Sequence, residues 1–228
     1  FGIDVSIWNG SIDWTKVKNE VDFAILRIGY EYTLDTRFLE YVQGCIDNDI
    51  PYGVYIYSYA ESRQEAVDEA KFVINTLEKY DLHPYLPIWF DMEDEVHVAL
   101  SASEKQAVVQ GFCDTILDAG YQPGLYTFVS WFNSHFSSSY YDSLPQWIAQ
   151  IDGFTANGTS SYAGGTHMWQ YSWEGSISGI SGNVDCNICY FEYPGINSDS
   201  SYLSKCTYYP SNMDVTVSTA VNMRQYPS

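Results

Sequence analysis

The sequence has 228 residues, of which 46% are hydrophobic and 17% aromatic, so it is long enough for one large domain with a sizeable core. Its 29 Asp and Glu residues outnumber 10 Lys and Arg, and the formal charge of −19 would repel nucleic-acid phosphates. No apolar run reaches the roughly 18–20 residues of a membrane-spanning helix, and no signal peptide is evident. We therefore expect neither a nucleic-acid nor a membrane partner.

The first half of the chain alternates predicted strands with predicted helices. The strands cover residues 2–7, 22–28 and 51–59, and the helices cover residues 13–18, 36–49 and 62–80. Asp4 lies on the polar face of the first strand, at a strand end. Arg27 in the second strand either snorkels to the surface or reaches an acid of a site. On the third strand Tyr55, Tyr57 and Tyr59 share one face, which either lines a sugar cleft or packs.

An acidic segment, residues 86–95, follows as the fourth predicted strand. Side chains two apart on a strand point the same way, so Trp89, Asp91 and Glu93 share one face. Two neighbouring carboxylates repel, which raises one pKa and leaves one neutral acid beside one anion near neutral pH. That pairing suits cleavage of a glycosidic bond, and a solvated acidic turn is the alternative.

The second half ends in strands without helices. A capping box, Ser101 with Glu104, opens a helix that Gly120 ends, and a fifth strand at 122–129 precedes a short helix at 130–135. Three bare strands follow at 145–151, 166–172 and 182–189. Five strand–helix units and three strands predict an α/β, TIM-like barrel of eight strands, with functional residues at the C-terminal strand ends. The polar or aromatic residues at or near those ends are Asp4, Tyr59, Asp91, Glu93, Tyr126 and Asp185.

Cysteine and histidine residues give only a weak metal or redox pattern. Of five cysteines, only Cys186 and Cys189 are closely spaced, and no second such pair or downstream histidine pair accompanies them. None of the four histidines lies at ligand spacing from another. We expect no metal, no cofactor and isolated buried thiols.

Eight stretches of the sequence, taken in chain order, resemble glycoside hydrolase family 25, the Chalaropsis-type N-acetylmuramidases (lysozymes). The resemblance spans residues 2 to about 192 and implies the barrel already expected from the strand count. The matching stretches are 2–10, 12–14, 23–27, 53–55, 87–93, 123–126, 169–171 and 184–185.

The resemblance also implies roles for individual residues. Asp91 and Glu93 match the catalytic D-x-E pair, Asp4 and Asp185 match acids of the first and last strands, and Tyr126 matches a tyrosine beside the reacting sugar. We expect further substrate contacts from Tyr57, Tyr59, Trp169 and Arg27. Two features depart from the family pattern: Arg27 stands where many members carry lysine, which is not equivalent, and Cys186 and Cys189 follow Asp185.

The implied reaction is hydrolysis of the β-1,4 bond between N-acetylmuramic acid and N-acetylglucosamine in peptidoglycan. Glu93 is the expected general acid and base. Asp91 either attacks the sugar or orients its 2-acetamido group, and we favour the second because two residues about 6–7 Å apart on one strand approach from the same side. The alternatives are a non-catalytic wall-binding protein and a glycosidase acting on another 2-acetamido polymer such as chitin.

The resemblance also implies an organisation and a location. Residues 1–194 form the expected catalytic domain, 195–213 a linker, and 214–228 resemble the start of a bacterial Src-homology-like wall-binding repeat. We interpret the chain as a fragment that continues into wall-binding modules, and a tail strand packed on the barrel is the alternative. We expect a monomer that is secreted, wall-associated or phage-encoded, acting on peptidoglycan glycan strands.

Overall fold

The computed structural model describes residues 1–136, 138–151 and 166–190, and every structural statement below concerns those residues. The linker and repeat start expected at 195–228 lie outside them. Among the described helices, none combines the length and the apolar character needed to cross a bilayer.

The described strands form one mixed sheet that closes on itself. Its order is β1-β9-β8-β7-β6-β5-β4-β2-β3, and an additional β1–β2 pairing closes eight of the strands into a barrel. The short β3 pairs only with β2, as a hairpin that the sequence reading did not predict. The strands are β1 (Gly2–Val5), β2 (Phe23–Tyr30), β3 (Thr33–Leu34), β4 (Tyr52–Tyr57), β5 (Ile88–Asp91), β6 (Pro123–Phe128), β7 (Gln146–Ala149), β8 (Thr166–Gly175) and β9 (Val184–Cys189).

The predicted TIM-like architecture is confirmed, with one difference in strand direction. Strands β1, β2 and β4 to β8 pair in parallel, whereas β9 is antiparallel to both of its neighbours. Asp185 was expected at a C-terminal strand end, and it instead lies near the N-terminal end of β9. Because β9 is reversed, that end still meets the C-terminal ends of the other strands, and Asp185 pairs directly with Asp4.

Helices cover the outside of the barrel where the apolar periodicity predicted them. Side-chain caps define the starts of the two longest, since Ser62 with Glu65 and Ser101 with Glu104 form capping boxes. Gly120, with φ of 87°, follows the second of these helices. A short helix after residue 138 was not predicted. The helices are α1 (Trp14–Val17), α2 (Phe38–Asp47), α3 (Arg63–Lys79), α4 (Ala102–Asp118), α5 (Val129–His135) and α6 (Ser139–Asp142).

Aromatic side chains fill the barrel interior beneath one of its ends. The ring centroid of Trp147 lies 4.5 Å from that of Tyr126, 5.6 Å from that of Trp89 and 6.0 Å from that of Tyr55. This packed floor leaves room for polar groups only at the end of the barrel above it, where the parallel strands finish. We call that end the mouth.

The C-x-x-C pair does not form a joint site. Cys189 packs with the barrel interior, whereas Cys186 packs with the outer core under the helices, because residues three apart on a strand face opposite sides. Burial raises the pKa of the Cys186 thiol to about 11. Among the described cysteines there is no disulfide.

Candidate active site

Four carboxyl groups meet at the mouth of the barrel. Asp4 lies near the end of β1, Asp91 is the last residue of β5, Glu93 follows it by two residues, and Asp185 begins the inward face of β9. Only 5% of Asp4 and 4% of Asp91 is exposed. Such a buried group of acids cannot be fully ionised at neutral pH without a large cost in free energy.

Asp4 is the hydrogen-bonded centre of this group. Its Oδ2 accepts from the side-chain amides of Gln170, at 2.9 Å, and Asn187, at 2.8 Å. Burial raises the pKa of Asp4, and the hydrogen bonds from Asn187, Gln170 and Asp185 oppose that rise. A carboxyl group that accepts several hydrogen bonds is suited to the ionised state.

Asp185 is the protonated partner of Asp4. Burial, the charge of Asp4, its hydrogen bond to Asp4 and the charge of Glu93 raise the pKa of Asp185 to about 8. Its carboxyl proton is therefore shared with Asp4 across the β1–β9 pair, where the two residues stand directly opposite each other. The pair holds one negative charge instead of two near neutral pH.

Both acids of the D-x-E pair have raised pKa values, so the structure does not divide them into the one neutral acid and one anion that the sequence predicted. Burial and the charge of Asp4 raise the pKa of Glu93 to about 7, while a hydrogen bond with Tyr126 lowers it. Burial and the charges of Glu93 and Asp4 raise the pKa of Asp91 well above its usual value, and Arg27 opposes that rise. The Oδ1 atom of Asp91 is buried and has no hydrogen-bond partner among the described residues. It is an acceptor available to a bound molecule.

Two residues of this network were not singled out from the sequence, Gln170 and Asn187. Gln170 accepts a hydrogen bond from the Tyr126 hydroxyl at 2.8 Å, and Asn187 accepts one from Trp147 Nε1 at 2.8 Å. They thereby connect Asp4 to the aromatic floor. The period-two pattern of the strand could have identified Asn187, because this residue lies two positions after Asp185 and therefore shares its face.

Arg27 reaches a buried acid, but not one of the four at the mouth. Its Nε and Nη2 atoms lie 2.9 and 2.8 Å from Oδ2 of Asp35, a residue that was not selected from the sequence. Only 12% of the Arg27 side chain and 1% of that of Asp35 is exposed. Arg27 therefore neither snorkels outward nor pairs with one of the four acids, although its charge acts on Asp91.

The structure places the expected aromatic contacts unequally. Tyr57 and Tyr59 stand together at the mouth with ring centroids 5.2 Å apart, and the Tyr57 hydroxyl donates to Asp94 at 3.0 Å. Trp169 is fully buried, and its Nε1 donates to the backbone carbonyl of Gln150 at 2.9 Å. Its neighbour Gln170 faces the acids, so Trp169 lies on the other face of β8 and is not brought to the mouth.

A pocket of about 490 Å³ adjoins the acids on the Tyr57 side. Aromatic residues form much of its wall, and the Arg27–Asp35 ion pair lies within it. Its residues come from the β1–α1 turn, the β2–β3 hairpin and the end of β4, and they are Ile7, Trp8, Arg27, Tyr30, Thr33, Leu34, Asp35, Thr36, Tyr57 and Tyr59.

In the described part of the chain, no group of three or more His, Cys, Asp or Glu side chains is arranged to hold a metal ion. The site presents paired carboxyl groups, one of them protonated near neutral pH, with amide and phenol groups around them. This arrangement of side chains is suited to general acid–base catalysis.

Comparison with known proteins agrees with this geometry. The sequence profile of the glycosyl hydrolases family 25 matches residues 3–180. The autolytic lysozyme of Clostridium acetobutylicum is 29% identical over 187 residues, which cover 81% of this chain and 54% of that protein. Lysozyme M1 of Streptomyces globisporus is 27% identical over 200 residues, covering 82% and 66%. The chain thus spans between about half and two thirds of these curated relatives.

Among solved structures, the modular autolysin LytC of Streptococcus pneumoniae in complex with a synthetic peptidoglycan ligand is similar. It has a TM-score of 0.73 and 28% sequence identity, and the match covers 82% of this chain and 45% of that one. Because the family profile matches well over half of the sequence, this chain belongs to the glycosyl hydrolases family 25.

Proposed function

We propose that this protein is a peptidoglycan hydrolase, an N-acetylmuramidase that cleaves the β-1,4 bond between N-acetylmuramic acid and N-acetylglucosamine. The observation that carries the proposal is the pair of buried acids at the barrel mouth, Glu93 with a pKa of about 7 beside the more deeply buried Asp91. Family membership and the lysozymes among its relatives support the same reaction.

Glu93 acts as the general acid and then as the general base. With a pKa of about 7 it holds its proton in a large fraction of molecules at neutral pH and can give it to the leaving sugar oxygen. The Glu93 carboxylate that remains then takes a proton from the attacking water. The raised pKa thus serves both halves of the reaction.

Asp91 orients the substrate rather than attacking it. Its Oδ1 is an unused acceptor, and an N–H of the sugar's 2-acetamido group is a matching donor. Held in this way, the acetamido oxygen can attack the anomeric carbon as the glycosidic bond breaks, as in substrate-assisted glycosidases. Asp91 and Glu93 come from one strand and its extension, so they approach the sugar from one side, whereas a nucleophile approaches from the side opposite the acid.

Asp4 and Asp185 control the charge around this pair. Because Asp4 and Asp185 share one proton, together they carry one negative charge. This single charge keeps the pKa of Glu93 raised without the addition of a second full charge. Removing the Asp4 charge would lower the pKa of Glu93 and leave less of the acid form available.

The proposed place of action is the bacterial cell wall, where the glycan strands lie, with residues 1–194 as the catalytic domain. The matched region covers 54% of the Clostridium acetobutylicum lysozyme and 45% of LytC, and the wall-binding repeat proposed to start at 214–228 rests on sequence resemblance alone. Such modules would help a chain of formal charge −19 to stay on an anionic wall.

Digestion of purified peptidoglycan tests the proposal. Wild-type protein should release fragments whose borohydride-reduced ends are muramitol by mass spectrometry, and Glu93→Gln should lower that release at least about 100-fold while the fold is retained. Glu95→Gln, the same change at an exposed position two residues later, is the matched control and should retain most activity. Glucosaminitol ends would instead identify cleavage of the other bond, and wild-type-like turnover by Glu93→Gln would remove Glu93 as the acid.

A further inference from the structure

A half-exposed tryptophan near the end of β8 is hydrogen-bonded to the acid network. Trp173 is 48% exposed, and its Nε1 donates to Oε1 of Gln170 at 3.0 Å. Gln170 in turn donates through Nε2 to Asp4 at 2.9 Å. Trp173 is therefore two hydrogen bonds away from the acid at the centre of the site, although neither the sequence nor the proposed chemistry assigns it a role.

Irregular pairing of β8 brings these side chains together. On a regular strand residues three apart face opposite sides. The register of β8 against β9 shifts between Gln170 and Ser172 and again between Ser172 and Gly175, and bulges of this kind re-aim the side chains around them. The Trp173 ring lies edge-on to that of Phe128 on β6, with centroids 6.5 Å apart. The indole is thereby held at the mouth.

We propose that Trp173 is a positioning residue for the reaction: its indole fixes the orientation of the Gln170 amide, so that Gln170 donates to Asp4 and keeps Asp4 ionised. The proposal rests on the muramidase function proposed above. An indole N–H can only donate, so the Gln170 atom that faces it must be the carbonyl oxygen. The amide nitrogen then faces Asp4, where it favours the carboxylate over the carboxylic acid.

Tyr126 cannot fix this orientation alone. Its hydroxyl lies 2.8 Å from Oε1 of Gln170 and is also hydrogen-bonded with Glu93, yet it has a single proton to donate. A phenol also accepts, so a reversed amide would be able to donate to Tyr126 and present its oxygen to Asp4. Trp173 makes the reversed orientation unfavourable, because two N–H groups would then face each other.

The second amide at Asp4 follows the same pattern. Trp147 Nε1 donates to Oδ1 of Asn187 at 2.8 Å, and Asn187 Nδ2 donates to Oδ2 of Asp4 at 2.8 Å. Trp147 is 1% exposed and belongs to the aromatic floor. One carboxylate oxygen thus accepts from two amides, and an indole orients each of them, one buried and one at the mouth.

Asp4 depends on these donors because its surroundings offer little positive charge. Arg27 of β2 is already paired with Asp35. The titratable groups that face Asp4 are acids, phenols and a thiol: Asp185 and Cys186 of β9, Asp91 and Glu93 at the end of β5, Tyr55 of β4 and Tyr126 of β6. Since the charge of Asp4 raises the pKa of Glu93, the Trp173 contact acts on the general acid through Asp4.

The apparent pKa of Glu93 tests the proposal without relying on turnover. It is followed by NMR through the chemical shift of the Glu93 carboxyl carbon in isotope-labelled protein, and Glu93→Gln identifies the signal. Trp173→Phe keeps an aromatic ring and removes the donor, so the pKa of Glu93 should fall by about half a pH unit. Trp131→Phe, the same change on the outer helix α5, is the control and should leave that pKa in place.

The pH dependence of peptidoglycan cleavage gives a second measurement. With the lower pKa of Glu93, the kcat/KM of Trp173→Phe should fall about twofold at pH 7 and about threefold at pH 8, and should match the wild type at about pH 5. A merely destabilised protein would lose activity at every pH. In a Gln170→Met background, Trp173→Phe should have no further effect on the pKa of Glu93, because the amide through which it acts is gone.

The outcomes separate the positioning role from the reaction. An unchanged pKa of Glu93 in Trp173→Phe would overturn the proposal even if the wild type cleaves peptidoglycan. So would an equal downward shift in the Gln170→Met background, since Trp173 would then act by another route. If the wild type releases no reducing ends, the muramidase proposal fails, and the NMR titration still decides whether Trp173 acts on the acids.

Discussion

At the scale of single residues, the site depends on which acid holds a proton. Asp4 and Asp185 are cross-strand partners, yet burial and hydrogen bonding make them unequal: Asp4 accepts from two amides, and Asp185 keeps a proton to a pKa of about 8. The amides of Gln170 and Asn187 therefore help to set the charge that Glu93 experiences. They lie behind the acids and act through Asp4.

This reasoning predicts a measurable effect of Asn187→Asp. The change removes a donor to Asp4 and adds a third acid beside Asp4 and Asp185, so the pKa of Asp4 should rise and its negative charge should be lost more readily. We expect kcat/KM for peptidoglycan to fall about 10- to 100-fold. The alkaline limb of the pH profile, which the Glu93 pKa places near pH 7 for the wild type, should also move to lower pH.

The control for this prediction is Asn183→Asp, the same chemical change at an exposed position of the preceding loop. It should leave both the rate and the pH profile as they are. An Asn187→Asp profile that superimposes on the wild type would show that this amide has no influence on the acids.

At the scale of elements, the loop after β4 is held by the helix that follows it. Glu69 binds both Ser58 and the Tyr59 amide, and burial is the main reason that its pKa is raised to about 7. Ionising a buried carboxyl group costs free energy. Removing Glu69 also costs free energy, because the Ser58 hydroxyl and the Tyr59 amide then lose their acceptor without gaining a water molecule in its place.

Replacing Glu69 with Leu should therefore destabilise the protein by about 1–3 kcal/mol, as measured by urea unfolding, since the Ser58 and Tyr59 donors lose their acceptor. Glu69→Gln keeps an acceptor for the Tyr59 amide and should cost less. Asp68→Asn, one residue earlier on the exposed face of α3, should change the free energy of unfolding by less than about 0.5 kcal/mol. If Glu69→Leu matched Asp68→Asn, the anchoring contacts would be energetically unimportant.

The elements also show what could be predicted from the sequence. Period-two alternation correctly placed Asp91 and Trp89 on the inward face of β5, because local side-chain geometry decides it. The direction of β9 could not be predicted, since no helix connects the last strands and a bare strand carries no sign of its orientation. The Arg27–Asp35 pair was missed because it depends on how the β2–β3 hairpin folds back.

At the scale of the whole molecule, stability should depend on pH through the buried acids. Glu69, Glu93 and Asp185 have folded-state pKa values raised to about 7, 7 and 8, so the folded state binds protons more tightly than the unfolded state does. Their contribution is complete at low pH and is lost as pH rises toward 8. The formal charge of −19 acts in the same direction through self-repulsion.

One buried histidine opposes this trend at low pH. Burial lowers the pKa of His97 to about 4, so protonation of the unfolded state costs stability as pH falls from about 6.5 to 4. Because three acids with raised pKa values outweigh this one histidine, we expect the melting temperature to fall steadily from about pH 4 to pH 8, by roughly 5–10 °C or more. Glu69→Gln should flatten part of the fall between pH 5 and 8, and a melting temperature that rises over this interval would contradict the assignment of raised pKa values.

The reversed last strand has a geometric consequence for attachment. Since β9 runs away from the mouth, Tyr190 lies at the far end of the barrel, where its amide donates to the carbonyl of His167 at 2.9 Å. Phe1 lies at that end too, its amino group paired with Asp22 just before β2. Both ends of the described barrel thus point away from the acids. A tether, a fusion partner or a solid support joined at either of these positions would leave the cleft facing outward.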